Sequence, residues 1–209
     1  MNAQSNPVPK VVVFDLGKVL LEFDFGRAAR ALSPMSATDP AGFRTAIDQS
    51  ALLLRYESGA LTDEEFYSEI QRLTGYRGSF EAFAAGFSDI FGEIPPMIAL
   101  QQALRSRGIP TWIFSNTNDL AVSFIRSRFP FFGGFDGYVL SYRIGSMKPA
   151  PASYEAVERA TGYRAADLLF LDDREENVMG AQARGWQILH HRDPSETVPH
   201  VHRLLGIAP

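Results

Sequence analysis

The chain has 209 residues, with 24 acidic and 20 basic side chains, a formal net charge of −4 and no cysteine. This charge balance gives no electrostatic footprint for nucleic acid or an anionic membrane, and the lack of cysteine excludes disulfides, iron–sulfur sites and thiol nucleophiles. The first nine residues lack the apolar core of a signal peptide, and no stretch reaches the ~20 apolar residues of a membrane helix. We therefore expect a cytoplasmic protein without nucleic-acid or membrane partners; its oligomeric state cannot be read from the sequence.

The first predicted strand ends in a carboxylate. Four apolar residues at 11–14 lead directly into Asp15, and Gly17 follows. A short apolar run beside a glycine is typical of a buried parallel strand, and open α/β sheets bind their ligands at the carboxyl ends of such strands. Because a lone anion is costly to bury there, we expect Asp15 to meet a cation.

The next segment is predicted to be helical throughout. Apolar spacing favours four helices and no strand, and these helices cover residues 25–32, 41–54, 62–74 and 80–91. Thr62 and Glu65 form a capping box at the start of the third helix. The phenylalanines of the fourth helix recur at helical spacing and are interpreted as bundle core. We therefore predict a helical insert of residues 23–94 within an α/β domain of residues 10–22 and 95–209.

From residue 95 onward, strand and helix patterns alternate. The predicted strands cover residues 110–114, 138–142, 168–171 and 186–190. The predicted helices between them cover residues 118–129, 151–160 and 175–184. This alternation is typical of an α/β fold, here a doubly wound parallel sheet with right-handed crossovers.

Residues suited to phosphate and metal chemistry follow these strands. They are Ser115 with Asn116, then Lys148, then the pair Asp172 and Asp173. A carboxylate can attack phosphorus, a hydroxyl and an amide at a helix N-terminus can hold phosphate oxygens, and a lysine can neutralise the transferred group. Mg²⁺ suits the carboxylates. A single Asp at such a turn is often only a helix cap, but carboxylates at two strand ends favour a divalent metal.

These residues resemble the four motifs of the haloacid dehalogenase (HAD) superfamily. The motifs are Asp15-Leu16-Gly17-Lys18-Val19, Ser115-Asn116-Thr117, Lys148-Pro149 and Asp172-Asp173 with Asn177. The insert is similar to the family's small C1 cap, and the likeness runs from about Lys10 to His191. Segments around Asp24 and Glu57 look most like bacterial sugar-phosphate phosphatases such as α-D-glucose-1-phosphate phosphatase. The resemblance implies a HAD Rossmann-like core with a C1 cap.

The resemblance also implies a function. It is that of a Mg²⁺-dependent phosphatase that hydrolyses a small phosphorylated metabolite, in particular a sugar phosphate, through an aspartyl-phosphate intermediate. Asp15 would be the nucleophile and a metal ligand. The other metal positions would be the Gly17 carbonyl, Asp172 and Asp173. The resemblance does not decide which of the two carboxylates, Asp172 or Asp173, binds the metal directly. The phosphate-holding residues would be Ser115, Asn116 and Lys148, with Lys148 bridging to Asp15. Substrate contacts from the cap would come from Asp24, Arg27 and Glu57, although a structural ion pair explains Asp24 and Arg27 equally well.

The sequence departs from the family pattern at Gly17. Most phosphatases of the family carry a second Asp there, which protonates the leaving group, and such general acid catalysis contributes about 10²–10⁴-fold. Two alternatives therefore stay open. One is a 2-haloacid dehalogenase, which needs no metal and would find Asp172 and Asp173 an electrostatic liability. The other is a catalytically weak domain with a binding or regulatory role, for which Gly17 is the only real support.

Overall fold

The computed structural model describes residues 7–48 and 50–207. Its strands are β1 (Val11–Phe14), β2 (Leu21–Phe23), β3 (Phe91–Glu93), β4 (Thr111–Ser115), β5 (Gly137–Leu140), β6 (Leu168–Asp172) and β7 (Gln187–His190). Its helices are α1 (Phe25–Leu32), α2 (Pro40–Ile47), α3 (Ala51–Glu57), α4 (Asp63–Thr74), α5 (Phe80–Ser88), α6 (Pro95–Ser106), α7 (Asp119–Arg128), α8 (Ser141–Ile144), α9 (Pro151–Thr161), α10 (Glu175–Gln182) and α11 (Pro194–Leu205). In these described residues, no helix has the length and apolar character needed to span a bilayer.

Five parallel strands form the central sheet, in the order β5-β4-β1-β6-β7. The chain starts at the centre, moves out through β4 and β5, and returns to the other side through β6 and β7, which confirms the predicted doubly wound α/β fold. Both faces of the sheet are buried: Val12 and Phe14 of β1 pack in one apolar cluster, and Val11 and Val13 pack in another. Such two-sided burial explains the unbroken apolar run at the start of the chain.

The register of the sheet brings three strand ends together. Phe14 lies opposite Ile113 of β4 and Leu171 of β6. The next residue, Asp15, donates its backbone N–H to the Leu171 carbonyl at 2.8 Å. The residues that follow β1, β4 and β6 therefore meet at one edge, the ligand-binding edge of an open α/β sheet.

The insert, defined here as residues 24–90, leaves and rejoins the sheet through an antiparallel ribbon. Phe23 of β2 pairs with Phe91 of β3, and helices α1 to α5 lie between the two strands. The helices pack around their own aromatic core, which includes Phe66 and Phe83. The prediction of no strand in this region is wrong at Phe91, because the entering and leaving chains run side by side and pair their backbones. The predicted boundaries at 22/23 and 94/95 fall within or beside this ribbon and stay a prediction.

Two further predicted elements differ from the structure. The helix predicted over 41–54 is two helices, α2 and α3, because Ser50 caps a new helix by accepting the Leu53 N–H at 3.0 Å. The strand predicted over 138–142 stops at Leu140, and Ser141 begins the short helix α8. Both differences place residues beside the sheet edge, where Ser141 and the end of α3 meet.

Candidate functional site

Three carboxylates meet at the sheet edge. One oxygen each of Asp15, Asp172 and Asp173 lies within 4.8 Å of the other two. Asp15 and Asp172 are buried and Asp173 is partly exposed. Adjacent parallel strands carry them, β1 for Asp15 and β6 for the pair, so the predicted juxtaposition is present.

Lys148 lies inside this cluster. Its Nζ donates to Asp15 Oδ1 at 2.8 Å, to Asp172 Oδ2 at 2.6 Å and to the Phe114 carbonyl at 2.9 Å, which uses all three ammonium protons. Burial acts to lower the pKa of Lys148, but the two carboxylates outweigh it and the pKa is raised. Lys148 is therefore a fixed positive charge that orients the Asp15 carboxylate.

Both oxygens of the Asp172 carboxylate accept hydrogen bonds. Its Oδ1 accepts from Arg174 N–H at 2.8 Å and Asn177 Nδ2 at 3.0 Å, and its Oδ2 accepts from Lys148 and from Asn177 Nδ2 at 3.1 Å. Three donors, namely the Arg174 N–H, the Asn177 amide and the Lys148 ammonium, therefore engage both oxygens of this carboxylate. Asp172 is thus placed to hold Lys148, while Asp15 Oδ2 accepts no hydrogen bond from the described residues and Asp173 lines the polar cavity described below.

The charges of the cluster do not cancel. Three carboxylates and one ammonium leave two surplus negative charges in a largely buried space. Burial raises the pKa of Asp15 to about 7, with Asp172 adding to the rise and Lys148 opposing it. Burial, together with the neighbouring Asp172, also raises the pKa of Asp173. A divalent cation removes this surplus, and an all-oxygen ligand set fits Mg²⁺.

The two predicted phosphate-binding residues at the end of β4, Ser115 and Asn116, have different surroundings. Ser115 is buried at the end of β4, on the strand next to β1. The Asn116 side chain forms two hydrogen bonds with the backbone of Lys148. Its Nδ2 donates to the Lys148 carbonyl at 3.0 Å, and its Oδ1 accepts the Lys148 N–H at 2.8 Å. Both ends of the Asn116 amide are therefore engaged in holding the Lys148 loop, an arrangement that no sequence pattern indicated.

Two adjoining cavities open at this edge. The polar cavity, of about 980 Å³ including the part open to solvent, contains Asp15, Lys148 and Asp173 in its wall. The aromatic cavity, of about 500 Å³ including the part open to solvent, is lined by Ser115 and by four phenylalanines, Phe23, Phe25, Phe87 and Phe91. Both cavities share the residues Gly17, Phe23, Phe25, Glu57 and Asn116. The two spaces therefore form one continuous site.

Phe23 takes up the space beside Gly17. A Cβ atom added to Gly17 would lie 2.9 Å from Phe23 Cε1, closer than real Cβ contacts allow. The Phe23 ring packs edge-on against Phe25, with ring centroids 5.8 Å apart. The missing side chain at position 17 is thus matched by an aromatic ring, a contribution of Phe23 that the sequence analysis did not identify.

The three predicted substrate contacts from the insert lie in different places. Glu57 is the last residue of α3 and lines both cavities. Asp24 caps α1 by accepting the Gly26 N–H at 2.7 Å, and it pairs with Arg30. Arg27 pairs with Asp89 at 3.3 Å on the insert surface. The site therefore includes Glu57, whereas Asp24 and Arg27 have structural partners outside the cavity walls.

Comparison with known proteins gives one consistent family. The family model of haloacid dehalogenase-like hydrolases matches residues 9–185. The chain is 29% identical over 155 residues to a sesquiterpene phosphatase of Aspergillus oryzae, covering 73% of this chain and 78% of that protein. It is 25% identical over 185 residues to D-ribitol-5-phosphate phosphatase of Bacteroides thetaiotaomicron, covering 85% and 89%. A HAD family enzyme of Bacteroides thetaiotaomicron, solved with magnesium and inorganic phosphate, superposes with a TM-score of 0.77 at 25% identity, covering 90% and 98%.

Proposed function

The chain belongs to the haloacid dehalogenase-like hydrolase family, and we propose that it is a Mg²⁺-dependent phosphatase of a small phosphorylated metabolite. The observation that carries this proposal is the largely buried cluster of Asp15, Asp172, Asp173 and Lys148, which opens into a cavity and needs a divalent cation for neutrality. Two relatives that are named as phosphatases support it. The similar enzyme whose structure was solved with magnesium and inorganic phosphate supports it as well.

Asp15 is proposed as the nucleophile. Lys148 holds Asp15 Oδ1 and leaves Oδ2 for attack on phosphorus, with formation of an aspartyl phosphate and departure of the alcohol. Water then cleaves the aspartyl phosphate and regenerates the Asp15 carboxylate. Lys148 also offsets the charge that develops on the phosphoryl group, and the Ser115 hydroxyl with the Asn116 backbone N–H would hold its oxygens.

The proposed metal ligands are Asp15, the Gly17 carbonyl and Asp173. Mg²⁺ bound there supplies positive charge to the phosphate and lowers the repulsion between phosphate and carboxylates. Asp172 is assigned a different role, because its oxygens are occupied: it holds Lys148 beside Asp15. This assignment chooses between the two carboxylates that the sequence left as equal candidates.

A sugar phosphate is the proposed substrate class, in keeping with the sequence resemblance and with the ribitol 5-phosphate named for one relative. The aromatic cavity favours a second candidate, a phosphate ester of an apolar alcohol. Phe23, Phe25, Phe87 and Phe91 offer apolar contact area beside Ser115. The other relative is named for a sesquiterpene substrate of that kind.

The surplus charge also distinguishes this proposal from the alternatives. A dehalogenase attacks carbon without a metal, so Asp15, Asp172 and Asp173 would lack their neutralising cation. A binding or regulatory domain has no need of a lysine oriented onto a buried carboxylate. The proposed location in the cytoplasm rests on composition alone.

Phosphate release from a panel of sugar, prenyl and aryl phosphates, with Mg²⁺ and with EDTA, tests the function. We expect turnover that requires Mg²⁺. Halide release from a 2-haloacid without phosphate release would identify a dehalogenase, and the absence of both activities would favour a binding domain.

A further inference from the structure

We propose that Glu57 is the proton donor to the leaving alcohol and afterwards the proton acceptor for the attacking water. This inference rests on the proposed phosphatase function. It assigns to the insert the proton transfer that Gly17 cannot perform, because glycine has no side chain.

The first step of the argument is steric. Phe23 fills the space beside Gly17, so no acidic side chain fits at position 17 without displacing the ring. The proton for the leaving oxygen must therefore come from another group in the cavity walls, or from water. Lys148 is unsuited, because its three protons are held by Asp15, Asp172 and the Phe114 carbonyl.

The second step compares the carboxylates of the two cavities. Among the described lining residues these are Asp15, Asp48, Glu57 and Asp173. Asp15 is the proposed nucleophile, Asp173 a proposed metal ligand, and Asp48 pairs with Arg44 at 2.9 Å. Glu57 alone of the four lines both cavities, at the point where they meet beside Gly17 and Asn116. Within residues 7–48 and 50–207, no hydrogen bond occupies its carboxylate.

The third step concerns how Glu57 is held. The Ser141 hydroxyl donates to the Glu57 carbonyl at 2.6 Å and accepts the Thr117 N–H at 2.9 Å, which ties the end of α3 to the loop after β4. Tyr56 accepts the Leu120 N–H at 3.3 Å. Two residues after Glu57, Gly59 has a φ of +74°, and a Cβ there would lie 2.3 Å from the Tyr142 carbonyl. The Glu57-x-Gly59 motif thus allows close packing that fixes Glu57 relative to Ser115 and Asn116.

The protonation equilibrium of Glu57 suits both roles. Burial raises its pKa to about 7, with Asp15 adding to the rise and Arg174 opposing it. A group with a pKa near the working pH is present in both forms and can give and accept a proton. The charged groups around Glu57 in the polar cavity are Asp15, Lys18, Asp48, Lys148, Asp173 and Arg174.

The proton balance closes over the two half-reactions. As the Asp15 oxygen forms its bond to phosphorus, the bond from phosphorus to the leaving oxygen breaks and the Glu57 carboxyl proton moves to that oxygen. The Glu57 carboxylate then takes a proton from water while the water oxygen attacks phosphorus. Asp15 leaves as a free carboxylate, phosphate is released, and Glu57 is protonated again.

The test is a comparison of Glu57→Gln with the wild type and with Asp48→Asn, which removes a carboxylate from the same cavity as a matched control. We measure kcat/KM at saturating Mg²⁺ for p-nitrophenyl, phenyl and alkyl phosphates, because kcat/KM reports steps up to departure of the alcohol. In Glu57→Gln we expect a loss of about 10²–10⁴-fold for alkyl phosphates and a far smaller loss for p-nitrophenyl phosphate, whose leaving group needs no proton. Asp48→Asn should show the same leaving-group dependence as the wild type.

Two further readouts separate proton transfer from a structural role. For alkyl phosphates the wild-type kcat/KM should fall as pH rises through about 7, because the donor form of Glu57 is lost, and Glu57→Gln should lack this limb. With p-nitrophenyl phosphate, Glu57→Gln should release a burst of p-nitrophenol as the aspartyl phosphate accumulates. Circular dichroism and thermal unfolding confirm that each variant is folded.

An equal loss for all esters in Glu57→Gln, or an unchanged profile, would overturn the proton-transfer role. If the wild type hydrolyses p-nitrophenyl phosphate with Mg²⁺ and Asp15→Asn does not, that outcome leaves the phosphatase proposal standing. If the wild type hydrolyses no phosphate ester, both proposals fail together.

Discussion

Replacement of Lys148 by methionine tests the electrostatics of the buried cluster. Methionine keeps the length of the side chain but removes the charge and the three donated hydrogen bonds to Asp15, Asp172 and the Phe114 carbonyl. The surplus negative charge of the cluster then rises from two to three. We therefore expect the variant to be folded but much less stable without metal.

The size of the effect follows from burial. Lys148 is 1% exposed at its side chain, and its partners Asp15 and Asp172 are 11% and 0% exposed. Removing one partner of a buried ion pair costs about 3–5 kcal/mol, because the other charge stays buried and unpaired. For a chain of this size the loss is equivalent to roughly 6 to 20 °C in Tm.

The pH dependence of this loss has a definite sign. The pKa of Asp15 is raised from 3.8 to about 7 in the folded protein, so the folded state binds more protons than the unfolded state between these values. Stability contributed by neutral Asp15 is therefore greatest at low pH and is lost as pH rises through about 7. Without Lys148 the Asp15 carboxyl is harder to ionise. The loss in the free energy of unfolding caused by Lys148→Met should therefore be larger at pH 8 than at pH 5.5.

Urea unfolding in EDTA, with Lys10→Met as the control, measures the effect. Lys10 pairs with Asp167 at 3.1 Å, but its side chain is 61% exposed, so the same substitution there should cost less than about 1 kcal/mol. Mg²⁺ should recover more stability in Lys148→Met than in the wild type, as it neutralises a larger surplus charge. A loss below about 1 kcal/mol in Lys148→Met at pH 8 would refute the charge argument.

Other substitutions test the remaining parts of the site. Asp15→Asn should abolish phosphate release while circular dichroism stays unchanged, because an amide cannot attack phosphorus; residual turnover with the wild-type KM would indicate a different nucleophile. Asp173→Ala should raise the Mg²⁺ concentration needed for half-maximal activity and be partly rescued by excess Mg²⁺, and an unchanged Mg²⁺ titration would place the metal elsewhere. Gly59→Ala should destabilise the protein by about 1–2 kcal/mol from its positive φ alone, more if the 2.3 Å approach to the Tyr142 carbonyl is not relieved. In the same variant kcat/KM for alkyl phosphates should fall more than for p-nitrophenyl phosphate, and a stability equal to the wild type would contradict the packing argument.

The sequence was sufficient to predict the parallel sheet and the cluster at its edge. Buried parallel strands are marked by apolar runs, and polar residues at the ends of such runs fall on one edge whatever the details of the helices. Asp15, Ser115 and Asp172 were therefore predictable as neighbours. The helices of the insert were predictable as well, because their apolar residues recur at helical spacing.

Contacts between distant segments were not predictable in this way. Two contacts depend on where separate chain segments meet in space. They are the strand pairing of Phe23 with Phe91 and the hydrogen bonds of the Asn116 side chain to the Lys148 backbone. The helix predicted over 41–54 missed its break because Ser50 can lie on a helix surface or cap a new helix, and only tertiary packing selects the second. The role of Phe23 beside Gly17 has the same origin, since aromatic residues give no sign of which glycine they face.

The contact between Gly17 and Phe23 couples the effects of substitutions at the two positions. An aspartate introduced at position 17 meets the Phe23 ring, which is itself packed against Phe25 and has Lys18 Nζ 4.9 Å from its centre. Such a change requires the Phe23 ring to shift or residue 23 to be smaller, whereas the loss of Phe23 alone opens a void beside the proposed phosphate site. The order of the two substitutions should therefore matter: Gly17→Asp should cost less stability in a variant whose residue 23 is already small than in the wild type.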